Sequence, residues 1–398
     1  MAATTAAAIA VSATAILFGL TQHVLIRSDA ATAVRLNPLS SEALSEEAAS
    51  ALIKGDQARA EALAHAAIRT TPLTPLAFST LAFVRKAQGR DREVATLMAT
   101  AARLSWANEA AQLWMIGRAF DEDRFDEAVI RSDALLRQRR IREAMFSFLR
   151  GLSTEPAALD AIAERLAAEP RWRQDFLTQL AELSPETYAG HEQLLLRLKR
   201  SAAPPTRDEV NAYVWRLVRD QRYTDARAAW TRLNDRGANS GSVGDGSFER
   251  LGTSERPSPF EWTVTPVPGL SLRAPPRSAS GGTEGLHIAA EGRPSGRALE
   301  QVVILAPGTY HLATEAREAK ERSLQSLRWE MTCLGGSGRV EIQSGASPKP
   351  DRSWQRIDQV VRIPPLACPA QRLELRIDHD AASDLDAAVR SIAIRKLS

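Results

Sequence analysis

Residues 55–72 read GDQARAEALAHAAIRTTP, and residues 89–106 read GRDREVATLMATAARLSW. Each stretch opens on a glycine, and Gly55 and Gly89 stand 34 residues apart. In the first, Ala60 and Ala67 are small residues on a helix, and Pro72 ends it because proline lacks the N–H that a continuing helix needs. The second keeps Leu81, Ala82 and Ala101, with Val94 and Trp106 in place of the alanine and the proline. A third phase puts Asp123 in the glycine slot, ahead of Phe125-Asp126-Glu127-Ala128. Outward from this core, residues 29–235 are rich in Ala, Leu, Arg and Glu, the good helix formers. Residues 141–200 read as helical but off-register, with amphipathic helices over Ala157–Leu166 and Trp172–Leu183. A last pair, Arg207–Asp220 and Tyr223–Leu233, repeats the hairpin look with Ala226 and Leu233. A fixed period of helical hairpins predicts an α-helical repeat solenoid, in which each hairpin buries its apolar face on its neighbours. The turn glycines are read as close-packed, so that a bulky residue at Gly55 disrupts the hairpin.

The period and the small-residue pattern resemble the tetratricopeptide repeat. That resemblance implies a concave groove that takes a peptide or protein segment. Trp114, Trp172, Trp215 and Trp230 are the aromatic residues to test as its lining, against the plainer alternative of core packing.

Past residue 235 the composition changes. Residues 236–247, RGANSGSVGDGS, are dominated by Gly and Ser and read as a flexible linker. Residues 248–398 then read as all β, with short strand-like runs between turn signals. Leu327, Trp329, Met331 and Cys333 share one face of a strand, while Arg328, Glu330 and Thr332 share the other. Gly335-Gly336-Ser337-Gly338 turns the chain into the next strand. Such a series predicts a C-terminal β-sandwich or jelly roll. The fold class is therefore multidomain, α then β.

Several motifs in the last domain resemble carbohydrate-binding jelly rolls. Gly246-Ser247-Phe248-Glu249 with Pro259-Phe260-Glu261-Trp262 is similar to their opening, and Gly285–Ile288 to their next strand. Gln301, Leu305, Pro307-Gly308, Tyr310 and Leu312 fit a further segment, and Val389–Ile394 the closing strand. The resemblance implies a glycan-binding or protein-binding sandwich. Members often hold a structural calcium through the opening Glu and an Asp in the closing strand. Glu249 is present, but Val389-Arg390-Ser391-Ile392 has no Asp, so no metal is expected. Sugar rings stack on exposed aromatic faces. Trp354, after a polar segment, and Tyr310 are the stacking candidates, whereas Trp262 and Trp329 stand at core positions. Cys333 and Cys368, both in this domain, read either as two buried free thiols or as one disulfide in an oxidising compartment, and their place in one β-rich domain behind a membrane-targeting segment favours the disulfide.

From Ala3 to Ile26 no side chain carries a formal charge, a length that can span a bilayer. Residues 1–28 are read as a membrane anchor, or a signal segment cut near Ser28-Asp29-Ala30. Arg27 and Arg35 follow the span, and counting positive charges alone would keep the rest in the cytoplasm. The cysteine pair and the type of the last domain favour export, giving a chain anchored in a bacterial inner membrane with its bulk in the periplasm.

The chemistry of enzymes was sought motif by motif. Residues 241–247 lack the Lys of a phosphate-binding loop, and His191-Glu192 lacks the second His of a zinc protease. Asp378-His379-Asp380 reads as a solvated turn at a strand end. Net charge is +3 over 51 basic and 48 acidic residues, which argues against a nucleic-acid partner. The sequence thus points to a membrane-tethered envelope scaffold, not an enzyme, without cofactor. Its repeats would bind protein and its sandwich glycan or protein, in the setting of surface exopolysaccharide assembly. The rival reading is a glycan hydrolase or lyase with its site on the sandwich.

Overall fold

The computed structural model describes residues 17–18, 20–24, 29–234, 242–275, 284–320, 322–345, 352–380 and 384–397. Most of the expected membrane segment lies outside them. Among the described residues no helix is long and apolar enough to cross a membrane. The chain divides into two compact units, residues 1–173 with 184–197, and residues 174–183 with 198–398.

The first unit is a run of helical hairpins. After α1 (Ala30–Leu36) come α2 (Ser41–Ile53) and α3 (Gln57–Thr70), α4 (Pro75–Ala87) and α5 (Asp91–Leu104), and α6 (Glu109–Asp121) and α7 (Phe125–Arg137). One turn recurs between the partners of each hairpin. The amides of Asp56, Arg90 and Arg124 donate back to the carbonyls of Ala51, Arg85 and Ala119 at 2.9, 2.9 and 2.7 Å. This is the Schellman arrangement, which needs a left-handed residue just past the first helix. Gly55, Gly89 and Asp123 fill that place with φ of 84°, 75° and 55°. Nothing lies within 4 Å of a Cβ built on Gly55 or Gly89. The glycines therefore serve backbone conformation, and the expected close packing at the turn is corrected.

Burial repeats with the same period. Ala60, Val94 and Ala128 are buried, as are Ala67, Ala101 and Leu135, and Ala48, Ala82 and Ile116. One position breaks the pattern: Glu47 stands where Leu81 and Met115 stand in the next hairpins. Its carboxylate accepts from Arg59 at 2.6 Å, so the buried charge is paired.

Beyond the repeats lie α8 (Arg142–Leu152), α9 (Pro156–Ala167), the short α10 (Arg173–Thr178) and α11 (Tyr188–Lys199). The expected single helix Trp172–Leu183 stops at Thr178. Pro185 then holds Ser184 extended (φ −98°, ψ 160°), because a residue before proline is barred from the helical region. Gly190 of α11 faces the Ser153 carbonyl so closely that a Cβ would sit 2.5 Å from it, which fixes glycine there.

Among its described residues the second unit holds most of α10, α12 (Arg207–Arg219), α13 (Tyr223–Leu233) and ten strands: β1 (Thr263–Val264), β2 (Leu270–Arg273), β3 (Leu286–Ala290), β4 (Ser295–Val303), β5 (Gly308–Glu318), β6 (Leu327–Leu334), β7 (Glu341–Ser344), β8 (Gln355–Ile363), β9 (Ala370–Asp378) and β10 (Leu385–Lys396). The described strands form a four-stranded sheet, β1-β4-β9-β6, and a six-stranded sheet, β2-β3-β10-β5-β8-β7. The paired neighbours run antiparallel. Alternate residues of both sheets, among them Leu299, Leu373, Leu375, Leu312, Val361 and Ile394, enclose the core of a sandwich.

Two sequence boundaries move. The α12–α13 hairpin clusters with the strands, although sequence placed it with the repeats. Trp230 packs on Phe260 with ring centroids 5.8 Å apart, and Arg207 pairs with Glu261. Residues 236–241 of the expected linker lie outside the described residues, but residues 242–247 are part of the sandwich. Val243 is buried, and the Gly244 amide and carbonyl are both bonded to the Gln301 side chain at 2.9 and 2.8 Å. A Cβ on Gly246 would lie 2.4 Å from the Ile392 carbonyl, so the closing strand can approach only glycine. The motif positions Gly246, Phe248, Trp262 and Gln301 therefore build the fold. Phe248 stacks on Trp262 at 5.4 Å, and Trp262 meets Trp329 at 5.7 Å.

Candidate functional site

Among the described residues each unit presents a surface that its own packing leaves open. In the first unit it is a groove of about 1070 Å³ lined by α2, α4 and α6, the first helices of the three hairpins. Glu46 and Ile53 line it from α2, Leu76, Ser79 and Phe83 from α4, and Ala110, Leu113 and Trp114 from α6. Ile53 is 87% exposed and Phe83 45%. The groove thus leaves apolar side chains of three successive hairpins uncovered. Glu109 and Arg140, 3.7 Å apart, supply charge at one part of the rim. Of the four tryptophans named from sequence, Trp114 alone lines this groove. Trp172 is buried and donates Nε1–H to Asp133. Trp215 and Trp230 belong to the sandwich unit, where Trp215 donates to the Pro257 carbonyl. Sequence reasoning missed Ile53, Phe83 and Leu113. Their signal was an apolar residue on each first helix left over once the buried face had been assigned.

In the second unit the open surface is the outer face of the six-stranded sheet. Two hollows lie on it. One, about 160 Å³, has Ala313, Ser391 and Ala393 among its lining, with His311, Glu315, Arg356 and Arg395. The other, about 330 Å³, is lined by Ala319, Ala387 and Ala388 with His287, Arg317, Glu318, Arg352 and Asp386. Small residues keep the surface low, and strand alternation lifts long polar side chains beside it. Asp358 bonds Arg356 and His311 at 2.8 and 3.0 Å, and Glu315 pairs with Arg390.

Trp354 lies on this same face. It is half-buried, and its ring carries the guanidinium carbons of Arg317 and Arg390 at 4.9 and 4.8 Å from the centroid. The free face expected for sugar stacking is thus engaged by cations. Tyr310 points the other way. It is 5% exposed, and its hydroxyl donates to the Ala306 carbonyl, so it belongs to the core and offers no ring to a ligand. Burial pushes its phenol above the ordinary range.

The remaining sequence candidates are structural. Cys333 at the end of β6 and Cys368 before β9 lie at bonding distance, S–S 2.01 Å. Glu249 is exposed. His379 is buried and within 2.7 Å of the Ser326 hydroxyl, which corrects the reading of a solvated turn; Asp378 and Asp380 beside it are exposed. Among the described residues no group of three His, Cys, Asp or Glu could hold a metal ion.

No family model matches the sequence, and no curated protein matches it. Among solved structures, the helical part is similar to a tetratricopeptide repeat protein from Parabacteroides merdae. That match has 16% identity over 48% of this chain and 74% of that one, with TM-score 0.28. It is also similar to pilF of Pseudomonas aeruginosa, at 16% identity over 48% of this chain and 88% of that one, with TM-score 0.27. The β part is similar to a carbohydrate-binding module, TmCBM61, solved with β-1,4-galactotriose. There identity is 11% over 40% of this chain and 100% of that one, with TM-score 0.25.

Proposed function

We propose that this chain is a binding protein with two arms, tethered to a membrane and without turnover of its own. The helical unit docks a protein segment in its groove, and the sandwich binds glycan on the outer face of its six-stranded sheet. The observation that carries this reading is the apolar strip Ile53, Leu76, Phe83 and Leu113, set on three successive first helices and left uncovered by the unit's own packing. Burying such side chains on a partner gains roughly 25 cal/mol per Å² of apolar surface, against the entropy cost of association. The tether rests on the uncharged stretch from Ala3 to Ile26. A place in the bacterial periplasm, beside surface-polysaccharide assembly, follows from joining a protein-docking arm to a glycan-binding arm on such a tether. On the sandwich, Glu315 and Asp358 are each held by cations, which favours binding over acid–base chemistry there.

A photo-crosslinking amino acid at Phe83 or Leu113, compared with one at the exposed Arg69 on α3, tests the groove in cells. Crosslinks to a polypeptide from the groove positions, lost when Ile53→Glu is added, support the reading. Equal yields from both faces would reject it.

A further inference from the structure

Three arginines on the outer sheet face have no carboxylate partner among the described residues, and from this we infer that its ligand is an acidic glycan, one bearing carboxylates along its chain. The inference rests on the glycan arm of the proposed function and sharpens it.

Five arginines stand on or beside the two hollows: Arg317 on β5, Arg356 on β8, Arg390 and Arg395 on β10, and Arg352 ahead of β8. Glu315 and Asp358 match two of them, Arg390 and Arg356. Asp386 is 2.9 Å from His287. Among the described residues, Arg317, Arg352 and Arg395 have no carboxylate within ion-pair distance, and all three are exposed. These unpaired arginines are distributed: Arg317 and Arg352 line one hollow, together with Glu318, which is buried and accepts from the Leu324 amide, and Arg395 lines the other.

Trp354 gives one of these arginines its geometry. A guanidinium lying on an aromatic ring uses its face for the ring and keeps its N–H edge for a planar acceptor. Arg317 is held so, at 4.9 Å, and has no internal carboxylate. A fixed fork of this kind fits a carboxylate in two parallel hydrogen bonds. Unpaired arginines in both hollows of one sheet face therefore suit a polymer with repeated acid groups better than a single anion. Nucleic acid is the less favoured polyanion. It needs open aromatic faces for base stacking, and the Trp354 ring already carries guanidinium groups.

The test uses the whole chain in detergent, with polygalacturonate, alginate and hyaluronan as acidic probes. A neutral β-1,4-galactan, a sulfated glycan and single-stranded DNA are the comparisons, all by affinity electrophoresis at fixed salt. At least one uronate polymer is expected to bind more tightly than the galactan. Arg317→Gln with Arg395→Gln should weaken that binding about tenfold or more, with an unchanged melting temperature. Trp354→Leu, which frees the Arg317 fork, should weaken it in the same direction. Galactan bound as tightly as every uronate, with the double variant unaffected, leaves a glycan-binding sandwich but overturns the acidic ligand. No glycan bound at all overturns both. Sulfated glycan or DNA bound more tightly than any uronate overturns the choice of carboxylate.

Discussion

The α12–α13 hairpin and the hairpins of the repeat unit share one local design and serve different packing. The Arg222 amide donates to the Leu217 carbonyl at 2.8 Å, the turn found after α2, α4 and α6, and Gln221 takes the left-handed place with φ of 60°. Ala226 is buried as Ala60 and Ala128 are. One position separates them. Where the repeats have Ala64, Met98 and Ser132, the last hairpin has Trp230. Those three side chains, none as large as an indole, are buried among the repeat helices. An indole reaches past its own hairpin to Phe260, with the Arg227 guanidinium 4.8 and 5.1 Å from the two ring centroids. Helix propensity and turn chemistry thus make the hairpin, and the size of a few side chains decides what covers it.

Removing that indole should have the largest effect. Trp230→Ala is expected to destabilise the sandwich unit by about 3–5 kcal/mol, read as a shift in its urea midpoint. Residues 242–398, which keep Val243 and Gly244 but lack the hairpin, should be less stable than residues 198–398. Equal midpoints for the two fragments would return the hairpin to the repeats.

The cysteines separate the two units chemically, since both lie in the sandwich. Mass mapping without reductant should find Cys333 linked to Cys368, 35 residues apart. Reduction should then cost the sandwich transition about 3–4 kcal/mol in the chain-entropy model and leave the repeat transition in place. Two free thiols in exported material would contradict the bridge.

Acid should act on the other unit. Burial, aided by the charge of Arg150, lowers the His191 pKa from 6.5 to about 3. The imidazole is neutral in both states above pH 6.5, so stability is complete there. Below that the unfolded chain takes up the proton first, and stability is lost progressively toward pH 3. By pH 5 the loss is about 2 kcal/mol. An identical midpoint for the repeat unit at pH 7 and pH 5 would contradict the burial.

The smallest effect concerns the shared turn. Gly55→Ala should cost about 1 kcal/mol because an L side chain is strained at φ of 84°. Asp123→Gly and Gln221→Gly should each stabilise by about 0.5–1 kcal/mol for the same reason. Opposite signs in the two units would show that their turns are not equivalent.

Much of this fold is legible in the residues. The spacing of Gly55, Gly89 and Asp123 marks a backbone requirement, which is local and leaves a sequence trace. The alternation through Leu327, Trp329 and Met331 does so for a strand. The assignment of α12–α13 is not legible, because it depends on which distant surface an outward side chain meets. Composition alone joins that hairpin to the helices before it. The same reason hid the groove residues Ile53 and Phe83, whose exposure follows from what does not pack on them. It also made Tyr310 look like a ligand platform, since an aromatic beside a Pro-Gly turn reads alike whether it faces core or solvent. Trp354 was legible as a residue outside the core, but its arginine neighbours come from β5 and β10, far along the chain.

The central claim is that this chain binds without catalysing, and one assay addresses it directly. The whole chain is incubated with acidic and neutral polysaccharides, and bound polymer and new reducing ends are measured in the same tubes. The account predicts polymer retained by the protein with no increase in reducing ends over time. Steady release of reducing ends, abolished by Glu315→Gln or Asp358→Asn, would contradict it.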